Sequence, residues 1–312
     1  MSRDQIIKIG MVVLVVVLVC AVIITSTGMF GSSGGYANAE KYTSGDTEIQ
    51  EDIKKIDVTW TSGKVTVAYH TENTIGLKES AKRALSGDEK LQWWVDGDTL
   101  RVQFTKPGIR WNMPEKELTI TLPEGIRLTQ ANIGTTSGEI EIPEMKAEVL
   151  ILDSTSGDIR ACVETDKAEV NATSGEQQLE FRGTAEQIRV NSTSGNIRVE
   201  AEKAMLIEAA STSGSIGIQA QECQSAKANS TSGNIDAELG KMEQLSISAT
   251  SGSVTAKLPE TPGFTATVDT TSGSFTYGLA LAREGNKYIC GDGSGSVNID
   301  TTSGNVRIDR LN

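Results

Sequence analysis

From Gly138 to Gly273 the chain alternates apolar and polar residues, with period two, on both sides of a recurring Thr-Ser-Gly. Seven residues before the glycine stand Leu150, Ile188, Ile207, Leu245 and Val297, with alanine at 168 and 226. Five before stand Leu152, Val170, Val190, Ile247, Val268 and Ile299, with Ala209 and Ala228. Three before are small residues: Ser154, Ala172, Ser192, Ser211, Ser230, Ala249 and Thr270. Two after come Ile140, Ile159, Ile197, Ile216, Ile235, Val254, Phe275 and Val306. Four after come Ile142, Leu179, Val199 and Ile218, with Ala161, Ala237 and Ala256. Alternation of this kind on either side of a glycine turn predicts strand, turn, strand, with Glu, Arg, Asn, Asp, Lys and Ser facing solvent between the apolar positions.

Thr-Ser-Gly occurs eleven times, and from Gly138 to Gly273 the gaps are 19, 18, 20, 19, 19, 19 and 21. A period near 19 is too short for helix-pair repeats and fits one coil of a β-solenoid. The predicted fold is all-β: a single-stranded parallel β-helix, or β-solenoid, of about 19 residues per coil. Right-handed winding is expected from the preference of parallel crossovers. Coils about 4.8 Å apart would make a rod on the order of 55–60 Å long. Glycine is expected to supply a positive φ at each corner, and the neighbouring Ser and Thr hydroxyls to satisfy corner backbone groups. Small inward residues imply a thin core, stabilised by many neighbour interfaces.

Two interruptions break the period. Gly63 to Gly138 spans 75 residues, close to four coils in length, and holds Trp93, Trp94 and Trp111, with Trp60 just before it. Strand-like runs at 64–68, 99–104 and 117–122 make it an irregular first section of the solenoid with an aromatic-plugged end, and 79–90 a short helix or excursion. The gap from Gly273 to Gly304 is 31, so about twelve extra residues around Leu279 to Gly295 are expected to form a hairpin or loop. Both irregular sections are expected to act as caps, because bare solenoid ends template strand addition. The organisation expected is 1–30, cytoplasmic tip and transmembrane signal-anchor; 31–55, Gly/Ser/Thr-rich stalk; 56–137, irregular first section; 138–275, regular repeats; 276–312, loop insertion and final coil.

Residues 9–24 read IGMVVLVVVLVCAVII, without a charge, and with Ile6, Ile7, Met29 and Phe30 the stretch reaches spanning length. Arg3 and Lys8 precede it and no Lys or Arg follows until Lys41, which predicts a single-pass N-terminal helix with the N-terminus cytoplasmic and the solenoid outside. The alternative is a cleaved signal peptide, secreting the chain after the Ala37-Asn38-Ala39 site. Cys20 follows Val19, where a lipoprotein needs a small residue, so it reads as a bilayer-facing thiol.

The Thr-Ser-Gly-x-Ile/Val-x-Val ladder, the leading Ile56-Asp-Val-Thr-Trp-Thr-Ser-Gly63 and the closing Cys290-Gly-Asp-Gly-Ser-Gly-Ser-Val-Asn-Ile-Asp-Thr-Thr-Ser-Gly304 resemble the bacterial putative-adhesin family, over about residues 56–310. These are β-strand-repeat proteins whose domain is one of unknown function. With the N-terminal segment, the layout is similar to membrane-anchored envelope-stress proteins of the Lia operon in Gram-positive bacteria. The resemblance implies adhesion and supplies no catalytic residues.

Composition narrows the chemistry. Formal net charge is −12, which argues against nucleic acid as a partner. The one histidine, His70, leaves no material for His-rich zinc sites or HExxH proteases. Leu258-Pro-Glu-Thr-Pro262 nearly matches a sortase signal but has proline fifth and no apolar tail, and reads as a corner loop. Asn171, Asn191 and Asn229 open formal glycosylation sequons that the repeat generates as by-products. Outward threonines two residues before each glycine, beside Asp153, Asn171, Asn191, Asn229, Asp269 and Asp300, could order water or dock glycans; a merely soluble face is the plainer reading. Glu139, Asp158, Glu176, Asn196, Asn234 and Asn305 follow the turns, but Ser215, Ser253 and Ser274 interrupt any carboxylate row for calcium or glycoside cleavage. Asp96-Gly97-Asp98 reads as a hairpin turn and Gly291-Asp-Gly-Ser-Gly295 as a glycine turn rather than a nucleophile segment. Cys162, Cys223 and Cys290 make no evident disulfide framework.

The expected protein is therefore a non-enzymatic, membrane-anchored, extracytoplasmic solenoid, adhesin-like or envelope-associated. No catalytic, cofactor or metal residues are expected. Its partners would be the membrane through residues 9–24 and a cell-surface glycan or envelope protein. A polysaccharide-active β-helix enzyme and a self-assembling surface scaffold are the alternatives.

Overall fold

The computed structural model describes residues 36–108 and 112–311. The apolar segment 9–24, Cys20 and Trp111 lie outside the described residues. Among the described residues no helix is long and apolar enough to cross a membrane. The chain divides into two compact units, one of residues 36–165 with 169–175, the other of 166–168 with 176–311.

Both units are built from rungs: a first strand, the Thr-Ser-Gly corner and a second strand. In the N-terminal unit, strand Lys55–His70 pairs in parallel with Leu128–Ile142, in register from Lys55↔Gln130 to Thr66↔Glu141. Leu128–Ile142 continues the stack onto Lys146–Ser154 and then, past its corner, onto Ile159–Ala172. In the C-terminal unit, Gln177–Ser192, Ile197–Ser211, Ile216–Ser232 and Ile235–Ser251 stack in parallel register, with Ile197, Ile216, Ile235 and Val254 forming one column. Where the period is 20, the extra residue leaves as a bulge between Phe181 and Thr184, with Gly183 at φ +70°. The inward columns read from the sequence are buried: Ile188, Ile207, Ala226, Leu245 and Val297 are each fully enclosed. Gln177, which takes an isoleucine position, is fully enclosed too; its amide donates to Asn191 O at 3.2 Å, and Oε1 has no partner.

Why each corner needs glycine differs from the sequence expectation. Of the stacked corners, only Gly63, Gly175 and Gly252 lie in the left-handed region. The general reason is crowding. A Cβ on Gly157 would lie 1.8 Å from Gly138 O, on Gly214 1.9 Å from Gly195 O, and on Gly304 2.0 Å from Gly252 O. The glycines form a file in which each carbonyl fills the side-chain space of the next. At four corners the residue three before the glycine closes the turn. Thr135, Ser154, Ser192 and Ser211 each accept the N–H of their own corner glycine, at 2.7–2.9 Å. At the three left-handed corners that position holds Trp60, Ala172 and Ala249, so no aliphatic hydroxyl is there to accept. Gly233, Gly252 and Gly304 turn their N–H instead to the neighbouring rung, to Ser251, Ser303 and Ser272 O at 3.1 Å. The Ser230 and Thr301 hydroxyls are then buried without a hydrogen-bond partner among the described residues.

Each unit places one rung out of chain order. Thr99–Gln103 and Lys116–Pro123 form a rung that pairs with the outer side of Lys55–His70, while the later strand Leu128–Ile142 takes the inner side. In the C-terminal unit, Gly295–Ser303 and Val306–Arg310 lie between the Gly252 rung and the Gly273 rung, although they follow both in sequence. Within the 75-residue interruption, 64–70 and 128–137 complete the two flanking rungs, 99–103 with 116–123 supplies one additional rung in parallel register, and Ile75–Ala81 and Gln92–Asp96 are antiparallel cover.

That cover seals the N-terminal end. Gln92–Asp96 pairs antiparallel with Thr99–Gln103 through the Asp96-Gly97-Asp98 turn, and Ile75–Ala81 pairs antiparallel with Lys116–Pro123. Residues 82–91 are an excursion with one 3-10 turn, Gly87–Glu89, closed by a Ser86–Glu89 capping box. Beneath it Trp60 stacks edge-on against Phe104 at 4.8 Å. Lys116 is fully enclosed beside them: Nζ lies 2.9 Å from Glu79 Oε2, donates to Glu89 O at 2.8 Å and to Phe104 O, and sits over both rings. Burial pushes its pKa down, and the Glu79 carboxylate opposes that. The expected hairpin near the C-terminus is Ala282–Glu284 with Lys287–Gly291; its second strand also pairs antiparallel with Gly263–Ser272.

Candidate functional site

The outward faces are where a solenoid can meet a partner, since the interior is filled. On the first-strand face, six positions before the corner, Arg189, Glu208 and Lys227 stand on successive rungs. Arg189 Nε lies 2.8 Å and Lys227 Nζ 3.1 Å from the Glu208 carboxylate. Burial opposes ionisation of Glu208, yet the two cations together hold its pKa below the usual range. This ladder was not singled out in the sequence, although its 19-residue spacing of opposite charges is visible there.

On the second-strand face the carboxylates are also matched. Asp158 lies 3.1 Å from Arg160, which also meets Glu139. A depression of about 530 Å³ in the C-terminal unit is lined by Glu180, Glu200, Glu202 and Glu238 around Phe181 and Leu311. Each carboxylate in it is engaged: Glu180 with Arg182 at 3.0 Å, Glu200 with Arg198 at 2.7 Å, Glu202 with the Gly183 N–H at 2.7 Å, and Glu238 with Lys257. No group of three or more His, Cys, Asp or Glu able to hold a metal occurs among the described residues.

The rows named from the sequence turn out to be rung-to-rung fastenings. Asn196, Asn234 and Asn305 accept the backbone N–H of Ser215, Ser253 and Ser274 on the adjoining rung, at 2.9–3.1 Å. Thr136, Thr155, Thr193 and Thr212 are half-buried, and their carbonyls accept from the next rung's serine N–H at 2.8–2.9 Å, whereas Thr61 and Thr271 are exposed. The Asp/Asn row is split. Asp269 and Asp300 are exposed, whereas Asp153 is 7 % exposed. Asn171 donates to Asp153 at 3.0 Å and to Glu169 at 3.3 Å. Burial pushes the Asp153 pKa up to about 6; the Asn171 hydrogen bond works against this and the Glu169 charge with it. A carboxyl so enclosed does not reach a sugar, and Asn171, opening a sequon, is itself buried.

The remaining motifs are spread apart. The His70 ring donates to Thr74 O at 2.7 Å. In the Gly291–Gly295 turn Asp292 accepts the Ser294 N–H at 2.9 Å. Leu258 is buried and the residues after it form a loop between strands Val254–Leu258 and Gly263–Ser272. Cys162, Cys223 and Cys290 form no disulfide, and burial pushes the Cys223 thiol up to about 11. These placements bring no nucleophile, base and oxyanion donor together.

In each unit, parallel-stacked rungs fastened by their own polar groups define a solenoid-like β-strand-repeat fold. The chain belongs to the Toastrack DUF4097 family, whose model matches residues 53–309. No curated protein matches it. Among solved structures it is similar to a putative adhesin from Parabacteroides distasonis ATCC 8503, at 13% identity over 85% of this chain and 96% of that one, with a TM-score of 0.45. A putative adhesin from Bacteroides fragilis NCTC 9343 matches at 16% identity over 84% and 95%, TM-score 0.40. A putative cell adhesion protein from Clostridium sporogenes ATCC 15579 matches at 15% identity over 86% and 100%, TM-score 0.27.

Proposed function

We propose that the protein is a non-enzymatic, adhesin-like component of the cell envelope, anchored by residues 9–24 with its N-terminus inside and its right-handed solenoid outside. The observation that carries this reading is the character of the faces: repeated ladders such as Arg189–Glu208–Lys227, with every carboxylate of the acidic depression around Phe181 already engaged. Such faces suit many weak, equivalent contacts with an extended partner, a glycan or an envelope protein, rather than one deep pocket. The charge-free stretch after Arg3 and Lys8 supports the anchor, and membership of the family supports the adhesin-like role. The test has two parts. Protease added to intact cells should remove the solenoid while the N-terminal tip survives. The purified full chain in detergent should retain cell-wall glycans or envelope proteins without consuming them. Protection from protease, or turnover of glycan, would refute the proposal.

A further inference from the structure

The C-terminal end of the stack is left half open. The hairpin strand Lys287–Gly291 covers residues 263–267 of the Gly273 rung, from Gly263↔Gly291 to Thr267↔Lys287. From residue 268 to 277 the outer edge of that rung pairs with no strand among the described residues; Gly295–Ser303 and Val306–Arg310 occupy only its inner side. The core columns end here on Val268, Thr270, Phe275 and Tyr277, and Tyr277 is 49% exposed. Phe275 and Tyr277 form an aromatic group with Tyr288, at centroid distances of 4.8–6.0 Å. Unpaired strand edges are normally guarded by lysine, proline or a bulge. Residues 268–277 contain no lysine or proline and one charge, Asp269.

We propose that this edge pairs, antiparallel, with the same edge of a second copy, about a two-fold axis through the Ser272–Gly273 corner. The partner is identified by self-complementarity. The axis sets position 268 opposite 277 and 270 opposite 275, so Val268 covers Tyr277 and Thr270 covers Phe275, small against large. It sets Asp269 opposite Thr276, so the two carboxylates do not oppose one another. Each contact occurs twice, as an isologous interface requires. The net charge of −12 opposes association elsewhere on the surface, so pairing strengthens with added salt. This inference does not depend on the anchor or on the adhesin-like role.

Sedimentation of the full chain in detergent, from low to about 100 µM protein, tests it. The expected species is a dimer. Thr276→Glu puts a carboxylate opposite the partner's Asp269 twice and should weaken the dimer roughly tenfold. Asp269→Lys added to Thr276→Glu should restore it; Arg307, beside Thr276 in the same copy, is common to both variants. Mixed Asp269→Cys and Thr276→Cys chains should also cross-link to each other on oxidation, more than either alone. A chain that stays monomeric throughout, or a dimer indifferent to Thr276→Glu, overturns the proposal. So does an edge found occupied by a different polypeptide.

Discussion

The two units solve the same stacking problem with different materials. Among the described residues, the N-terminal unit encloses charge: Lys116 with Glu79 under an aromatic lid, and Asp153 under Asn171. The buried polar side chains of the C-terminal unit are hydroxyls and one amide, Gln177. A buried ion pair is costly to break but contributes little net stability against apolar replacements, so its value lies in fixing one arrangement. The N-terminal end needs that, because its strands lack a repeating register. In the regular rungs the register is set by the crowding of the glycine file, the parallel backbone ladders and side-chain links such as Asn196 to the Ser215 N–H, without an enclosed charge.

The contrast can be broken at several points. The largest effect is expected from Lys116→Ala, which strands the Glu79 carboxylate and the Glu89 and Phe104 carbonyls, at about 3–5 kcal/mol in urea denaturation. Adding Glu79→Leu should recover part of this; a further loss instead would show that charge pairing is not what holds the end. Next comes Gly214→Ala, whose methyl meets Gly195 O; about 3 kcal/mol is expected, and a loss under about 1 kcal/mol would mean that the file is loosely packed.

Asp153 makes the comparison pH-dependent. Its folded pKa, about 6, lies above the unfolded value, so the folded state binds the extra proton. Stability associated with this group is therefore present at and below about pH 4 and is lost as pH rises through 6, about 2–3 kcal/mol in all. Asp153→Asn should be more stable than the parent at pH 7.5 and flatten the profile between pH 4 and 6. An unchanged profile would place the titration elsewhere. The smallest effect is expected at the corners. Ser211→Ala removes the acceptor of the Gly214 N–H and should cost about 1 kcal/mol, limited because Gly175 and Gly252 show that a corner can rotate when alanine precedes it. Ser230→Ala, whose hydroxyl has no partner, should be neutral or stabilising. Equal losses in the two variants would refute the role assigned to that position.

Much of this was legible before any coordinates. The inward columns at −7, −5, +2 and +4 follow from period-two alternation, and the C-terminal hairpin from one long gap. The order of the rungs was not, because their inward columns are nearly interchangeable: Val254, Val306 and Phe275 fit the same column equally well. The Lys116–Glu79 plug was hidden for the opposite reason, since two residues 37 apart in an aperiodic stretch carry no pattern. Of the surface rows, Asp153 with Asn171 was visible as a position but not as a buried pair. Its enclosure depends on packing that the alternation does not encode.

The placement of the last rung has a consequence for how the protein is made. Residues 295–310 lie between strands that precede them in the chain, so the Gly252 and Gly273 rungs acquire their proper neighbour only after residues 295–310 have left the ribosome. This rung works as a wedge driven home after both of its neighbours. A translation product halted near residue 294 would leave a slot where that wedge belongs, so proteases could tell chains that lack the rung from chains that carry it.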